Sequence, residues 1–194
     1  MTIFEKINNL DFEISMQSFF QTNPKCAEKL YQKVIDYLLE YKIDKDQIIL
    51  DLFCGTGTIG QLISKHTTNN IIGVDIVESA IENAKVNAAK NGVTNVEFYA
   101  GDMKDVFNDS FIKKHGQPDV IITDPPRDGM HKNVVAKMLE ISPKKIVYVS
   151  CNSATQARDL ALMKEDYMIE KSQAVDMFPQ THHVENVVLL KRRK

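Results

Sequence analysis

Hydrophobic residues cluster along the chain in five short runs, each five or six residues long. The runs are rich in β-branched side chains, and their hydrophobicity is mostly continuous rather than alternating. That pattern is typical of strands buried on both faces, as in a parallel sheet. Five strands are therefore predicted, at residues 48–53, 71–75, 96–100, 119–124 and 145–150.

Segments with helical spacing of apolar residues separate these strands. In the first, Asn23 is a candidate N-cap, Pro24 suits the first helical position, and apolar residues recur up to Tyr41. Gly92 lies where a glycine commonly follows the last helical residue. Six helices are predicted, at residues 24–41, 58–65, 78–91, 103–114, 132–139 and 154–164.

The pattern changes after the last helix. Residues 167–178 and 184–191 are two extended segments with no helix between them, which predicts an antiparallel pair. Alternating strands and helices followed by such a pair indicate an α/β fold with a doubly wound, mostly parallel, seven-stranded sheet. We expect a single domain, in which residues 1–45 form a lead-in and helix and residues 46–194 form the core sheet.

Composition and charge narrow the class of protein. Hydrophobic residues make up 43% and charged residues 26%, as in globular domains. The chain has no apolar run long enough to span a bilayer and no apolar leader at its start, so we expect a cytoplasmic protein that does not enter membranes. The net charge of −2 disfavours strong unaided binding of RNA, and three cysteines without CxxC spacing disfavour a zinc site or a disulfide framework.

Polar residues follow every one of the five predicted strands. In open α/β sheets, ligands bind beyond the carboxyl ends of the strands, where the strand order reverses. We therefore expect these segments to line one crevice. They are residues 51–60, Asp75, Asp102, residues 124–129 and residues 150–152.

The first of these segments contains a GxGxxG pattern, made by Gly55, Gly57 and Gly60. Asp75 follows at about the distance expected for an acid that binds ribose hydroxyls, so a nicotinamide dinucleotide site is one interpretation. Asp51 favours another, because methyltransferases commonly carry an acid there, beside the loop that approaches the methionine part of their cofactor. Asp102 suits the exocyclic amine of adenine.

Cys151 differs from the other two cysteines in its position. It leaves the fifth strand just before a helix predicted to begin near Ala154. A helix N-terminus lowers the pKa of a nearby thiol and favours the thiolate, which is the nucleophilic form. Cys26 and Cys54 are interpreted as small buried hydrophobes.

Two acidic residues are candidates for binding and proton transfer. Asp124 precedes two prolines that keep the backbone extended, so its carboxylate is expected to face the crevice. Glu185 lies at the start of the last strand, beside His182 and His183. A metal site from these three is conceivable, but adjacent residues of a strand point to opposite faces. We therefore expect no metal and interpret Glu185 as a general base.

Five motifs resemble those of the RNA uracil-5 methyltransferases, which form 5-methyluridine in transfer and ribosomal RNA. They are SFFQTNP (residues 18–24), DLFCGTG (51–57), DPPRDG (124–129), IVYVSCNSAT (146–155) and VDMFPQTHHVE (175–185). The resemblance implies a Rossmann-like methyltransferase fold and S-adenosylmethionine as the cofactor. It also implies that Cys151 adds to carbon 6 of a uracil and that Glu185 removes the proton from carbon 5.

The resemblance implies further positions that contact the cofactor or the target base. They are Gln21, Phe53, Gly55, Thr58, Asp75, Asp102 and Asp124. We expect a monomer whose substrate is a uridine in RNA, with ribosomal RNA favoured over transfer RNA. Larger family members carry N-terminal RNA-binding domains that we expect to be absent here, so RNA should bind weakly to this chain alone.

Three alternatives remain open. The chain could be a catalytically incomplete cofactor-binding fragment that needs a partner for RNA. It could be an RNA cytosine-5 methyltransferase, although those enzymes usually add a second cysteine to the motif at residues 124–129, which has none. It could also be an NAD-dependent oxidoreductase, on the basis of the glycine pattern.

Overall fold

The computed structural model describes residues 2–15, 21, 23–40, 44, 46–106 and 108–193. The helices are α1 (Pro24–Leu39), α2 (Thr58–Ser64), α3 (Glu78–Lys90), α4 (Met103–Val106), α5 (Asp109–His115), α6 (Lys132–Ile141) and α7 (Ser153–Met163). The strands are β1 (Thr2–Ile7), β2 (Leu10–Ser15), β3 (Ile49–Leu52), β4 (Ile71–Asp75), β5 (Val96–Ala100), β6 (Val120–Thr123), β7 (Lys145–Ser150), β8 (Tyr167–Val175) and β9 (Glu185–Arg192).

Within the described residues, seven strands form one sheet in the order β5-β4-β3-β6-β7-β9-β8. The strands from β3 to β7 are parallel, and β9 runs antiparallel to both β7 and β8. The chain moves outward from β3 to β5 on one side and from β6 to β7 on the other. The predicted doubly wound sheet is confirmed, and its strand order reverses between β3 and β6.

Continuous apolar runs form the central strands because both faces of the sheet are covered. All four residues of β3 are buried, and so are all four of β6. Along β3, Ile49 packs in the core formed with α1 and α2, whereas Leu50 packs in the core formed with α6 and α7. A strand with alternating polar residues would leave one of these two helix layers without an apolar surface to cover.

The local structure differs from the sequence prediction in one helix and contains one hairpin that was not predicted. The helix expected at residues 103–114 is two helices, and Asn108 caps the second, since its side chain accepts a 3.0 Å hydrogen bond from the Phe111 amide. The lead-in contains a hairpin, β1–β2, that we did not predict. Asn8 and Asn9 form its turn with φ of 45° and 66°, a conformation that asparagine tolerates better than most residues.

Two asparagines attach the hairpin to the core, Asn87 in the last turn of α3 and Asn91 at its C-cap. Asn87 accepts from the Glu13 amide at 2.8 Å and donates to the Glu13 carbonyl at 3.0 Å. One helical turn later, Asn91 makes the same pair of bonds to Asp11, at 2.9 and 3.0 Å. The two side chains thus occupy the hydrogen-bonding edge of β2 as a neighbouring strand would.

Among the helices described, none combines the length and the apolarity that crossing a bilayer requires.

Candidate active site

The predicted strand-end residues lie along one edge of the sheet. The parallel register pairs Leu52 of β3 with Val74 of β4 and with Thr123 of β6. Asp75 and Asp124 therefore follow on either side of the loop that leaves β3. This edge is the point where the strand order reverses, which is where open α/β sheets bind ligands.

The glycine loop after β3 is held in a left-handed backbone conformation. Phe53, Gly55 and Gly57 have φ of 58°, 52° and 73°. The Gly55 amide donates a 2.9 Å hydrogen bond to Asp75, whose other carboxylate oxygen accepts from the Val77 amide at 2.9 Å. Asp75 thus ties the loop to the end of β4. A Cβ on Gly55 would meet no atom within 4 Å, so the loop presents bare backbone to open space there.

Asp51 is a fully buried carboxylate directly beneath this loop. One oxygen, Oδ2, accepts a 3.0 Å hydrogen bond from the Gly60 amide, whereas Oδ1 is buried and has no hydrogen-bond partner among the described residues. Burial, with a smaller contribution from the nearby Asp75, raises the pKa of Asp51 to about 7, although the hydrogen bond from Gly60 lowers it. An unpaired buried carboxylate oxygen is suited to a cationic group such as an ammonium.

Three further predicted positions, Thr58, Asp102 and Gln21, have the following surroundings. The Thr58 hydroxyl is buried and lies 3.2 Å from that of Thr56, so it already has a partner. The Asp102 carbonyl accepts the amides of Asp105 and Val106, both at 2.9 Å, and starts α4. Gln21 is buried, but its neighbours at positions 18–20 and 22 in the SFFQTNP motif lie outside the described residues.

Cys151 and Glu185 are brought together by the antiparallel pairing of β7 with β9. That pairing places Ser150 opposite Asn186. Continuing the register by one residue places Cys151 opposite Glu185, and opposed residues of an antiparallel pair project from the same face. Cys151 is half-buried, and Glu185 is buried.

The prediction that the Cys151 thiol has a lowered pKa was wrong in direction. Burial raises the pKa of this thiol, and so do the carboxylates of Glu185 and Asp124, whereas the Arg127 guanidinium lowers it. The helix does begin beside Cys151, with Asn152 as its N-cap. The two carboxylates come from β9 and from the end of β6, which are distant in sequence, so the local pattern did not reveal them.

Arg127 is a basic residue near Cys151 and Glu185, and its positive charge has the opposite effect on neighbouring pKa values to that of the carboxylates. It lowers the pKa of Glu185, although burial has the larger effect and raises it. The pKa of Asp124 lies well above its usual range because of burial first, and then because of Glu185 and Asp51. Both carboxyl groups therefore have a higher affinity for protons than an exposed carboxyl group, which suits a role in proton transfer.

Tyr31 of α1 is a member of this cluster that sequence reasoning missed. Its side chain is buried, and burial raises its pKa, as do Asp124, Glu185 and Asp51 in decreasing order. The phenol therefore stays protonated and can donate to a carboxylate. A tyrosine at core spacing on a helix looks like an ordinary packing residue, so the sequence contains no signal for this role.

The histidine pair and the remaining cysteines differ in part from expectation. His182 and His183 lie in the loop before β9 rather than in a strand, and their ring centroids are 4.2 Å apart, so the prediction of opposite faces was wrong. Within the described part of the chain, no three acidic, histidine or cysteine side chains are placed to hold a metal ion. Cys54 is buried as predicted, whereas Cys26 is half-buried against the core.

Comparison with known proteins identifies relatives along the whole chain. A protein of Bacteroides thetaiotaomicron described as an uncharacterized RNA methyltransferase is 50% identical over 191 residues, which are 98% of this chain and 41% of that protein. A Porphyromonas gingivalis protein with the same description is 50% identical over 192 residues, or 98% of this chain and 40% of that protein. The chain thus spans about two fifths of the length of these relatives.

A solved structure extends the likeness to three dimensions. The Pyrococcus abyssi tRNA (uracil-54, C5)-methyltransferase, in complex with S-adenosyl-L-homocysteine, is 38% identical with a TM-score of 0.81, covering 97% of this chain and 44% of that one. The model of one protein family, described as tRNA (uracil-5-)-methyltransferase, matches residues 5–193. Since that match includes the glycine loop, the Asp124 loop, Cys151 and Glu185, the chain belongs to the tRNA (uracil-5-)-methyltransferase family.

Proposed function

We propose that this chain is the catalytic part of an S-adenosylmethionine-dependent enzyme that methylates carbon 5 of a uridine in RNA. The observation that supports the proposal is the pairing of β7 with β9, since Cys151 follows β7 and Glu185 begins β9. Arg127 is close enough to lower the pKa of both side chains, and Asp124 is close enough to raise the pKa of Cys151. A nucleophilic thiol beside a carboxyl group of raised pKa is the pair that this reaction needs. Membership of the family supports the same conclusion.

The residues around the glycine loop fit S-adenosylmethionine, which when bound supplies an electrophilic methyl group. The unpaired Oδ1 of Asp51 would face the ammonium of the methionine part. Gly55 leaves room for the ligand against the backbone, and Asp75 can accept from ribose hydroxyls through its remaining lone pairs. Ile76 is 70% exposed directly after Asp75, an apolar surface on which adenine could stack. Asp102, at the end of β5, would receive the adenine amine.

The chemistry assigns separate tasks to the two catalytic residues. Carbon 5 of uracil is a poor nucleophile until the Cys151 thiolate adds to carbon 6, which moves the electrons of the double bond onto carbon 5 and oxygen 4. After carbon 5 is methylated, Glu185 takes its proton. The electron pair of that C–H bond then re-forms the double bond as the bond between sulfur and carbon 6 breaks. Arg127 would favour the thiolate and the developing negative charge.

The proposal is tested with RNA that contains 5-fluorouridine. Fluorine cannot be removed as a proton, so wild-type protein with S-adenosylmethionine should form an adduct that survives denaturing electrophoresis. Cys151→Ala should form none, and Cys26→Ala, which alters a half-buried cysteine on the core, should match the wild type. Glu185→Gln should accumulate a methylated adduct on ordinary uridine. The proposal would be overturned if Cys151→Ala formed as much adduct as the wild type. It would also be overturned if calorimetry showed binding of NADH and none of S-adenosylhomocysteine.

A second part of the proposal concerns which RNA, ribosomal or transfer, carries the target uridine. From the sequence we favoured ribosomal RNA, and that remains a prediction, whereas the Pyrococcus relative is described as acting on tRNA. Methyl transfer to transcripts of both kinds, measured in parallel, decides between them. With a net charge of −2, this chain alone should bind either transcript weakly and with a shallow dependence on salt. Tight, steeply salt-dependent binding would contradict that expectation.

A further inference from the structure

Helix α7, which begins just after Cys151, is hydrogen-bonded along one side to residues 127–130. At its start, the side-chain Nδ2 of Asn152 donates to the Arg127 carbonyl at 3.1 Å. The Thr155 hydroxyl also donates to that carbonyl at 3.0 Å, and it shares its proton with the Asn152 carbonyl at 3.1 Å. One turn later, Arg158 Nη2 donates to the carbonyls of Asp128 and Met130, at 2.9 and 3.2 Å. We call these contacts the α7 clamp.

A buried carboxylate completes the α7 clamp. Asp159 has no exposed surface. Its Oδ2 accepts from the Met130 amide at 2.8 Å and from the Tyr148 hydroxyl at 2.7 Å, while its Oδ1 accepts from Arg158 Nε and Nη2 at 2.9 and 2.7 Å. A buried carboxylate is tolerated when hydrogen bonds satisfy both of its oxygens. Removing one of the donors destabilises the folded protein. The Met130 end of the loop is therefore fixed in position.

Gly129 shows how closely the loop is seated on α7. Its φ is +74°, a value that favours glycine. A Cβ built there would lie 2.6 Å from Arg158 Nη2, 2.7 Å from Asp159 Oδ2 and 3.0 Å from the Thr155 Cβ. A side chain at this position would thus push the loop off the three residues that hold it.

The α7 clamp contacts a residue whose positive charge lowers the pKa of Cys151 and of Glu185. It holds the backbone of Arg127, whose guanidinium opposes the effect of Glu185 and Asp124 on the Cys151 thiol. Neither Arg158 nor Asp159 is among the groups that raise or lower the pKa of the Cys151 thiol. They do contact the loop that carries Arg127, so they can influence the thiol through the position of that loop.

We propose that Thr155, Arg158 and Asp159 are positioning residues. Together they hold the loop that carries Arg127, and so keep its guanidinium near Cys151 and Glu185 while a uracil is attacked. The inference rests on the proposed function, because it assigns Arg127 to that reaction. It differs from a purely structural role in its consequence: loosening the clamp should alter the chemistry of Cys151 even where the protein remains folded.

The test compares Arg158→Met with wild type and with Leu162→Ala, a change on the exposed side of α7. The first measurement is the pH dependence of iodoacetamide alkylation of Cys151, followed by mass spectrometry of its peptide, without RNA. Its midpoint should rise in Arg158→Met and stay unchanged in Leu162→Ala. The rate of adduct formation with 5-fluorouridine RNA should fall by at least about tenfold, as for loss of a charge-assisted hydrogen bond. S-adenosylhomocysteine affinity should stay within about twofold, since the change lies outside the glycine loop.

The outcomes separate the two proposals. If wild-type protein forms no adduct, the proposed function fails, while the alkylation midpoint still tests the clamp. If folded Arg158→Met matches wild type in both measurements, the positioning role is wrong. Should Arg158→Met fail to fold by circular dichroism, Thr155→Val and Thr155→Ser replace it, since only serine keeps the hydroxyl bonded to Arg127. A raised midpoint in Thr155→Val alone supports the role, and equal midpoints in both refute it.

Discussion

Alanine at Gly57 and alanine at Gly55 should have different consequences, although the two glycines belong to one loop. Both have a left-handed backbone, with φ of 73° and 52°. A Cβ on Gly57 would lie 2.5 Å from two atoms of the Phe98 ring, whereas a Cβ on Gly55 would meet nothing within 4 Å. Gly57→Ala should therefore destabilise the fold, and Gly55→Ala should mainly weaken binding of the cofactor.

The magnitude follows from the two contributions. The left-handed backbone costs alanine about 1–2 kcal/mol at either position. At Gly57, overpacking against a buried ring adds about 1–3 kcal/mol. The Phe98 ring cannot easily move away, because it is also packed against Gly73, where a Cβ would lie 2.6 Å from it. The expected loss of unfolding free energy is thus about 2–5 kcal/mol for Gly57→Ala and about 1–2 kcal/mol for Gly55→Ala.

Urea unfolding followed by circular dichroism measures the first effect, and calorimetric titration with S-adenosylhomocysteine measures the second. The double variant Gly57→Ala/Phe98→Leu provides the control, because a smaller side chain at position 98 relieves the overlap. Its loss of stability should be smaller than the sum of the two single losses. Equal unfolding free energies for Gly57→Ala and Gly55→Ala, or additive losses in the double variant, would refute the assignment of Gly57 to packing against Phe98.

Three further predictions follow from buried or paired polar groups. Because burial raises the pKa of Asp51 to about 7, the folded chain holds a proton there that the unfolded chain has released above about pH 4. Stability should fall as the pH rises from about 4 to about 7, and urea unfolding of Asp51→Asn should show a smaller fall; an identical pH dependence would contradict this. Since Arg127 lowers the pKa of Cys151, Arg127→Met should raise the midpoint of Cys151 alkylation by iodoacetamide, and superimposable profiles would exclude that influence. Asn87→Ala should cost about 1–3 kcal/mol by unpairing the β2 backbone. Lys90→Ala, which removes a partly exposed ion pair to the same strand and a cation–π contact with the exposed Phe4 ring, should cost less, about 1 kcal/mol. Equal losses would mean that the asparagine bonds contribute little.

The main sheet could be predicted from the sequence because its strands are buried on both faces. Such strands, exemplified by β3 and β6, have continuous apolar runs that are visible without any knowledge of their neighbours. The hairpin β1–β2 could not be recognised in the same way. One of its faces is partly exposed, as Phe4 is 70% exposed, and its outer edge is satisfied by asparagines about 75–80 residues away in the chain.

In the candidate site, too, the positions of the residues could be predicted from the sequence, whereas their surroundings could not. Parallel strands end at one edge of a sheet, so the order of elements alone was sufficient to place Asp51, Asp75, Asp124 and Cys151 along that edge. The environment of each group was not predictable from its sequence neighbours. The Cys151 thiol was expected to be acidified by its helix, but burial and two carboxylates from distant strands outweigh that effect.

By itself, the sequence determined the α/β class, the succession of strands and helices along the chain and the candidate residues for chemistry, because these depend on local apolar patterns and on side-chain type. Only the tertiary structure decided how those residues affect one another. Tyr31 beside three carboxyl groups, the unpaired oxygen of Asp51 and the contacts of Arg158 with the Arg127 loop all arise from elements that meet only after folding. Burial and distance between such elements set proton affinity and position, and neither quantity is encoded in any short stretch of the chain.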